Sequence, residues 1–354
     1  MDTLFKLSGI KLDLSPPKSY ENASVPFLSG STFHSSPPWV RLMPKRAHRA
    51  FTEAIVKQVM VSIDGLLVNY WSDTWGPGQE LLSLLEPAYI DKRLWDDLME
   101  KGEGNIKALA SFMPEHDGFA LPVTYSRLAT VTGRLTVIGG PQMLTLKKEH
   151  RSVVVPSKTG HIVSIDFASL EPRILLYEAG KMCDGVDIYS ELSKELDCDR
   201  KAAKGAVISE LYGSSKWALG RALNLEGKEL DVFVKRVKQY FRTKELLERV
   251  KQQFIETGYI VNRYGRRVFI DEPLDNIMIS YYGQSTGVDV ALQGFLTIVK
   301  TMKVNAPSVR PLFVLHDALI LDVPSEHVDY VKKMNSVTVK GYVQRFPLKC
   351  EVIA

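Results

Sequence analysis

Asp166 follows the apolar run Ile162–Ile165 in HIVSID, and Asp317 lies between LFVL and LIL in LFVLHDALIL. Both carboxylates interrupt stretches that read as buried strands. A buried charge is costly unless it is paired or bound to a metal. One such aspartate is as readily a helix cap or a salt-bridged side chain. Two, in strands able to lie side by side, suit Mg²⁺, a hard cation that takes oxygen ligands and leaves room for water and phosphate oxygens. A pair of such ions could clamp the attacking and leaving oxygens of a phosphoryl transfer.

RKAAKGAVISELYG, 200–213, adds a second pattern. Arg200, Lys204, Ile208 and Tyr212 recur every four residues and share one helix face. The bland reading is a solvated basic helix end with Ile208 and Tyr212 turned inward, and for the stripe alone it is the commoner outcome. The functional reading is a polyphosphate clamp, with Arg200 and Lys204 on phosphates and Ile208 and Tyr212 offering a surface to a base.

These residues need a scaffold, and the rest of the chain supplies one. Its 354 residues suffice for a large core and more than one subdivision. The net charge of +4 is compatible with a polyanionic partner without requiring one. Three cysteines, Cys183, Cys198 and Cys350, form no C-x-x-C, which argues against a disulfide framework or zinc knuckle and for a reducing compartment. The opening MDTLFKLSGIKLDL lacks a secretory apolar core, and no apolar run approaches the ~20 residues that span a bilayer. The expectation is a soluble, cytoplasmic protein with no membrane partner.

Residues 1–50, rich in proline and serine with scattered bases, read as an irregular arm. KQVMVSIDGLLVNYW, 57–71, reads as a strand or buried hairpin. Helical spacing over 78–113, broken at Pro87 and Gly102–Gly104, predicts two or three helices. HIVSID is a strand, with a helix starting after it at SLEPRILLYEAG. Residues 188–258 read as mainly helical, YIVNRYGRRVFI as a hairpin, and 275–302 as another helix. PLFVLHDALILDVP is two strand halves around His316-Asp317, SEHVDYVKKMNSVTVKGYVQRF a last helix, and PLKCEVIA a last strand. The sum is an α+β fold.

Several of these segments, in this order, resemble the motifs of the family A (DNA polymerase I-like) DNA polymerases. DFASLEPR is similar to D-Y-S-x-x-E-x-R, with Asp166, Glu171 and Arg173 in place. RKAAKGAVISELYG is similar to R-x-x-x-K-x-x-x-F-x-x-x-Y-G, and LHDALIL to an apolar hairpin carrying H-D-E. TYSRLATVTGRLT, QSTGVDVALQGF and TGYIVNRYGRRVFI agree with lesser segments of the family. The match runs from about Tyr125 to the C-terminus; any one motif is weak, and the ordered set is specific.

The resemblance implies a right-hand architecture: an antiparallel-sheet palm in two parts, 121–187 and 259–354, helical fingers over 188–258, and a reduced helical thumb over 51–120. It implies template-directed addition of dNMPs to a primer 3′-hydroxyl, with primer-template DNA and dNTPs as partners. Two Mg²⁺ ions, for which Mn²⁺ may substitute, would be held by Asp166, Asp317 and the Phe167 carbonyl. Lys204 would contact phosphate and act as general acid toward pyrophosphate. Arg200 would grip the outer phosphates, and Tyr212 would stack near the templating base. Glu171 would exclude a 2′-hydroxyl. Arg134 and Gln284 would read minor-groove acceptors, His316 would lie near the primer terminus, and Arg173 is assigned to the DNA side.

Departures accompany the match. Ile208 replaces an aromatic residue, Ala318 the glutamate of H-D-E, and Asn276 and Ser280 stand where arginine and asparagine are usual. No D-x-E exonuclease strand precedes the match, and Asp64 reads as a turn residue. The expectation is a minimal polymerase of phage or mobile-element type without 3′–5′ exonuclease, of low processivity unless a processivity or exonuclease partner joins it. Two alternatives stay open: a primase-like enzyme using rNTPs, and a non-catalytic scaffold on primer-template.

Overall fold

The computed structural model describes residues 6–7, 9, 44–65, 68–102, 104–183, 187–212 and 216–353, with backbone alone for 61–65, 68, 210–212, 216–218 and 222. The chain divides into compact units at 68/69. The described part of the first is chiefly helix α1 (Lys45–Gly65). The described residues of 57–71 are therefore helical, not the expected strand or hairpin, and Asp64 lies in the last turn of α1. The half-buried residues Phe51, Ile55, Gln58 and Val59 recur at helical intervals that begin upstream of that stretch, so the 57–71 window misses the period. Most of the expected arm, 1–50, lies outside the described residues, and its last six residues are helical.

The second unit opens with a π-helical turn (Trp71–Trp75) that runs into α2 (Gly76–Ser83), then α3 (Lys92–Lys101) and α4 (Ile106–Ala110). The breaks fall at Pro87 and Gly102, as the punctuation predicts. These helices are not a separate body. Leu81 of α2, and Leu109 with Phe112, are fully buried against the rest of the unit, and the division at 68/69 falls within the stretch 51–120.

A ribbon, β1 (Thr124–Ser126) with β2 (Thr136–Gly139), leads to β3 (Gly160–Phe167) and α5 (Leu170–Glu178). Five helices follow: α6 (Ile188–Leu196), α7 (Arg200–Tyr212), α8 (Lys216–Leu223), α9 (Gly227–Phe241) and α10 (Thr243–Thr257). The hairpin β4 (Ile260–Val261) and β5 (Arg267–Val268) precedes the long α11 (Asp275–Asn305). The chain ends with β6 (Arg310–Leu315), β7 (Ala318–Pro324), the short α12 (Val328–Lys332), β8 (Ser336–Thr338) and β9 (Arg345–Val352). The helix expected over 325–346 thus stops after α12. Val337 and Val339 are buried at a spacing of two, the period of a strand, and Gly341 turns the chain at φ +86°.

Five strands form one sheet in the order β6-β7-β3-β9-β8, every neighbouring pair antiparallel. Alternation along β3 sends Val163, Ile165 and Phe167 into a core with Val290 and Phe295 of α11. Its other face puts Ile162 among Phe112, Val153 and Phe313, with Ser164 and Asp166 following on the same side. A further core joins α6, α7, α9, α10 and the start of α11 through Leu192, Val207, Phe233, Val250 and Met278. No helix among the described residues is long and apolar enough to cross a membrane.

Candidate active site at the strand ends

Asp166 is the penultimate residue of β3. It stands in register with Ala318 on β7 and with Lys349 on β9. Asp317 is not inside a strand, as the sequence suggests, but in the two-residue turn joining β6 to β7. The Phe167 N–H donates to the Asp317 carbonyl at 3.0 Å, which ties the three expected metal-binding residues together. The turn requires His316 at φ +57°, and the helix entry just after Asp166 requires Ser169 at φ +59°. Left-handed backbone in non-glycine residues costs on the order of 1–3 kcal/mol each and tends to gather where function fixes the chain. Ser169 occupies the N-cap position of α5, so Asp166 does not cap that helix.

Burial, and then the neighbouring charge of Asp317, push the Asp166 carboxyl up to about 7. Its Oδ1 is buried without a hydrogen-bond partner. A divalent cation would offset both effects. The donor set fits Mg²⁺, which commonly takes one or two carboxylates and leaves its other positions to water and phosphate. It does not fit a metal site built from protein ligands alone: among the described residues no cluster of three His, Cys, Asp or Glu could hold an ion.

Two cavities meet at this point. One, of about 410 Å³, is lined by Arg134, Glu171, Ile208, Gln284, His316 and Asp317. All six are residues the sequence singles out. Inside it Arg134 Nη2 donates to Glu171 Oε1 at 2.9 Å, and Gln284 Nε2 donates to Ser280 Oγ at 2.8 Å. The other cavity, of about 360 Å³, is lined by Asp166, Asp317 and His316 together with Lys148, Arg151 and Lys349.

These three cations were not legible as site residues. Lys349 faces Asp166 only through the pairing of β3 with β9, strands far apart in sequence. Arg151 lies in a 3₁₀ turn (Lys148–Val153), its Nε buried without a hydrogen-bond partner and its pKa lowered by burial.

On α7, Arg200, Lys204 and Ile208 share one face. Ile208 reaches the 410 Å³ cavity, while Arg200 and Lys204 are exposed and do not line it. Arg200 Nε donates to Asp187 at 2.7 Å, and Asp187 also N-caps α6 by accepting from the Tyr189 and Ser190 N–H groups. The Arg200 hydrogen bond, foremost, holds the Asp187 carboxyl down at about 2. The Tyr212 side chain lies outside the described residues.

Arg173 departs from expectation. It is 3% exposed, and its guanidinium donates to the Ala168 carbonyl at 2.7 Å and to the Cys183 carbonyl. It pins the segment after Asp166. Its position in the first turns of α5, among Pro172, Ile174 and Leu175, buries it.

The model of DNA polymerase family A matches residues 95–354. The chain is 25% identical over 264 residues to the thermostable DNA polymerase I of Thermus filiformis, a match covering 66% of this chain and 32% of that one. It is 26% identical over 260 residues to DNA polymerase I of Lactococcus lactis subsp. lactis, covering 64% and 30%. The chain therefore matches about a third of the length of these relatives. Its fold resembles the POL domain of Pol1 from M. smegmatis, solved in complex with DNA primer-template and dNTP, at a TM-score of 0.56 and 16% identity, over 99% of this chain and 62% of that one.

Proposed function

Because the chain belongs to DNA polymerase family A, we propose that it extends a primer 3′-hydroxyl along a template with dNTPs, releasing pyrophosphate. The observation that carries this reading is the meeting of Asp166 and Asp317 at adjacent strand ends, beside a cavity lined by Arg134, Glu171, Ile208 and Gln284. The sheet with α11 is the palm, 121–187 with 259–354. Residues 188–258 are the fingers, and a reduced thumb is assigned to the stretch 51–120.

Asp166, Asp317 and the Phe167 carbonyl would hold the metal. Two Mg²⁺ ions, or Mn²⁺ in their place, would make the primer hydroxyl a better nucleophile and neutralise charge on the leaving pyrophosphate. The remaining work falls to side chains. Arg200, released from Asp187, grips the outer phosphates, and Lys204 gives a proton to the departing pyrophosphate. Glu171 fills the space under the sugar where a 2′-hydroxyl would sit. Ile208 packs beside the nucleotide, and Tyr212 meets the templating base. Arg134 and Gln284 contact minor-groove acceptors that vary little with sequence, which suits an enzyme that must accept every base pair. His316 lies by the primer terminus, and Lys148, Arg151 and Lys349 hold primer phosphates in the second cavity. Proofreading is not assigned to this chain, which acts in the cytoplasm, with any exonuclease or processivity function left to a partner.

Primer extension on a 5′-labelled primer-template with Mg²⁺ tests the reading, with dNTPs against rNTPs and Asp166→Ala and Asp317→Ala beside the wild type. Extension with dNTPs, lost in both variants, is expected. Tight primer-template binding with no extension under any nucleotide or metal would leave a scaffold instead.

A further inference from the structure

Arg134 and Glu171 are joined at 2.9 Å, with the arginine side chain 45% and the glutamate 16% exposed. A guanidinium carries five N–H donors in a rigid planar fork, so one edge can hold a carboxylate while another meets a second acceptor. The arginine's backbone is fixed independently of the pair. Thr130 Oγ1 donates to the Arg134 carbonyl at 2.9 Å. The preceding Gly133 adopts φ +79° with the Arg266 guanidinium so close that a Cβ would come within 2.5 Å of it. Arg266 is itself held by the Arg127 carbonyl at 3.1 Å. Glu171 is supported from the other side by α11, where a Cβ on Gly287 would lie 3.3 Å from the Glu171 Cγ. The glutamate thus has a floor at Gly287 and an ion pair across its carboxylate.

We propose that Arg134 is a positioning residue for sugar selection: it holds the Glu171 carboxylate where a 2′-hydroxyl would have to go. The proposal rests on the reading of Glu171 as the sugar gate. Without the guanidinium, the Glu171 carboxylate loses one of its restraints and spends more time in rotamers that leave the space under the sugar open. Because the same guanidinium is placed to meet the primer-terminal base, ribonucleotide exclusion is tied to how the primer end is seated. A purely structural loss, or weaker primer binding, would lower the use of dNTPs and rNTPs together and leave their ratio unchanged.

The test is a double-mutant cycle on kcat/KM for one dNTP and its matching rNTP, with wild type, Arg134→Met, Arg134→Lys, Glu171→Ala, and Arg134→Met combined with Glu171→Ala. Glu171→Ala is expected to lower the dNTP-to-rNTP ratio most. Arg134→Met should lower it roughly tenfold, the scale of one partly exposed charge-assisted hydrogen bond. Arg134→Lys, which keeps a cation without the fork, should recover part of the loss. The combined variant should match Glu171→Ala alone, because the arginine acts through the glutamate. Multiplied losses in the combined variant, or a wild-type ratio in Arg134→Met beside a changed ratio in Glu171→Ala, overturn the role of Arg134. A wild-type ratio in Glu171→Ala overturns the gate reading itself. Since Arg134 is nearly half exposed, thermal unfolding of its variants should stay close to wild type and keep the ratio interpretable.

Discussion

Asp166 has its pKa raised by its own burial and then by the charge of Asp317, and its Oδ1 has no hydrogen-bond partner. Replacing either by asparagine should lower kcat by roughly 10²–10³-fold or more, as for loss of other preorganised electrostatic groups, while primer-template binding measured by anisotropy persists. Arg200 offers a subtler case. Its Nε is taken by Asp187, so under the proposed function a triphosphate would have to compete with that carboxylate. Asp187→Asn keeps a good N-cap on α6 and removes the competing charge. The KM for dNTP should fall about two- to fivefold, the scale of an exposed ion pair; an unchanged or higher KM would show that Arg200 does not hold the phosphates. The pH sign follows from the depressed Asp187 carboxyl, at about 2. A carboxylate whose folded pKa is lowered stabilises the fold above its unfolded value, near 4, and loses that contribution as pH falls toward 2. Between pH 5 and 9 this pair stays charged, so a KM profile over that range should show no titration removed by Asp187→Asn.

Among the elements, α11 does most to place the site, and it does so by lying close. Gly287 faces Glu171, and one turn pair further on Gly294 faces Phe167, the neighbour of Asp166. A Cβ on Gly294 would stand 2.7 Å from Phe167 Cζ and 3.3 Å from Val337 Cγ1. Gly294→Ala gains about 1 kcal/mol of helix propensity but overpacks the contact by about 1–3 kcal/mol. A net loss of up to about 2 kcal/mol is expected in urea unfolding, with a lower kcat because Phe167 and Asp166 must shift together. Unchanged stability and rate would mean that β3 tolerates displacement. The β6–β7 turn works by hydrogen bonding: with His316 at φ +57° it presents the Asp317 carbonyl to the Phe167 N–H at 3.0 Å.

Across the whole 69–354 unit, a buried polar knot holds distant segments together. Arg127 and Asp289, both with fully buried side chains, pair at 2.8 Å. Asn262 donates to the other Asp289 oxygen at 2.7 Å, and Arg127 also donates to the Trp75 carbonyl at 2.9 Å and lies over the Trp75 ring. Tyr70, its pKa pushed up to about 12 by burial and then by Asp289, completes the group with Arg266. The knot joins the π-helical entry, the loop before Arg134, the β4–β5 hairpin and α11. Asp289→Ala leaves Arg127 charged and unpaired in the interior, so unfolding free energy should drop by about 3–5 kcal/mol, read by chemical denaturation, whereas Asp289→Asn, which keeps hydrogen bonds, should lose less.

The sequence by itself determined the local things: the strand before Asp166, the helices over 188–258, the hairpin around His316-Asp317, and a site list of which six members do line one cavity. Those follow from periodicity and motif spacing, which act over a few residues. It misread 57–71 and 325–346, where the period could not be assigned locally, and it did not show that burial turns the Arg173 side chain onto backbone carbonyls. Only the tertiary structure decided the rest. That Asp166 stands beside Ala318 and Lys349, that Arg134 holds Glu171, and that Asp187 occupies Arg200 all depend on strand register and side-chain direction between segments remote in sequence. Such contacts are set by long-range packing, which leaves no local mark in the chain.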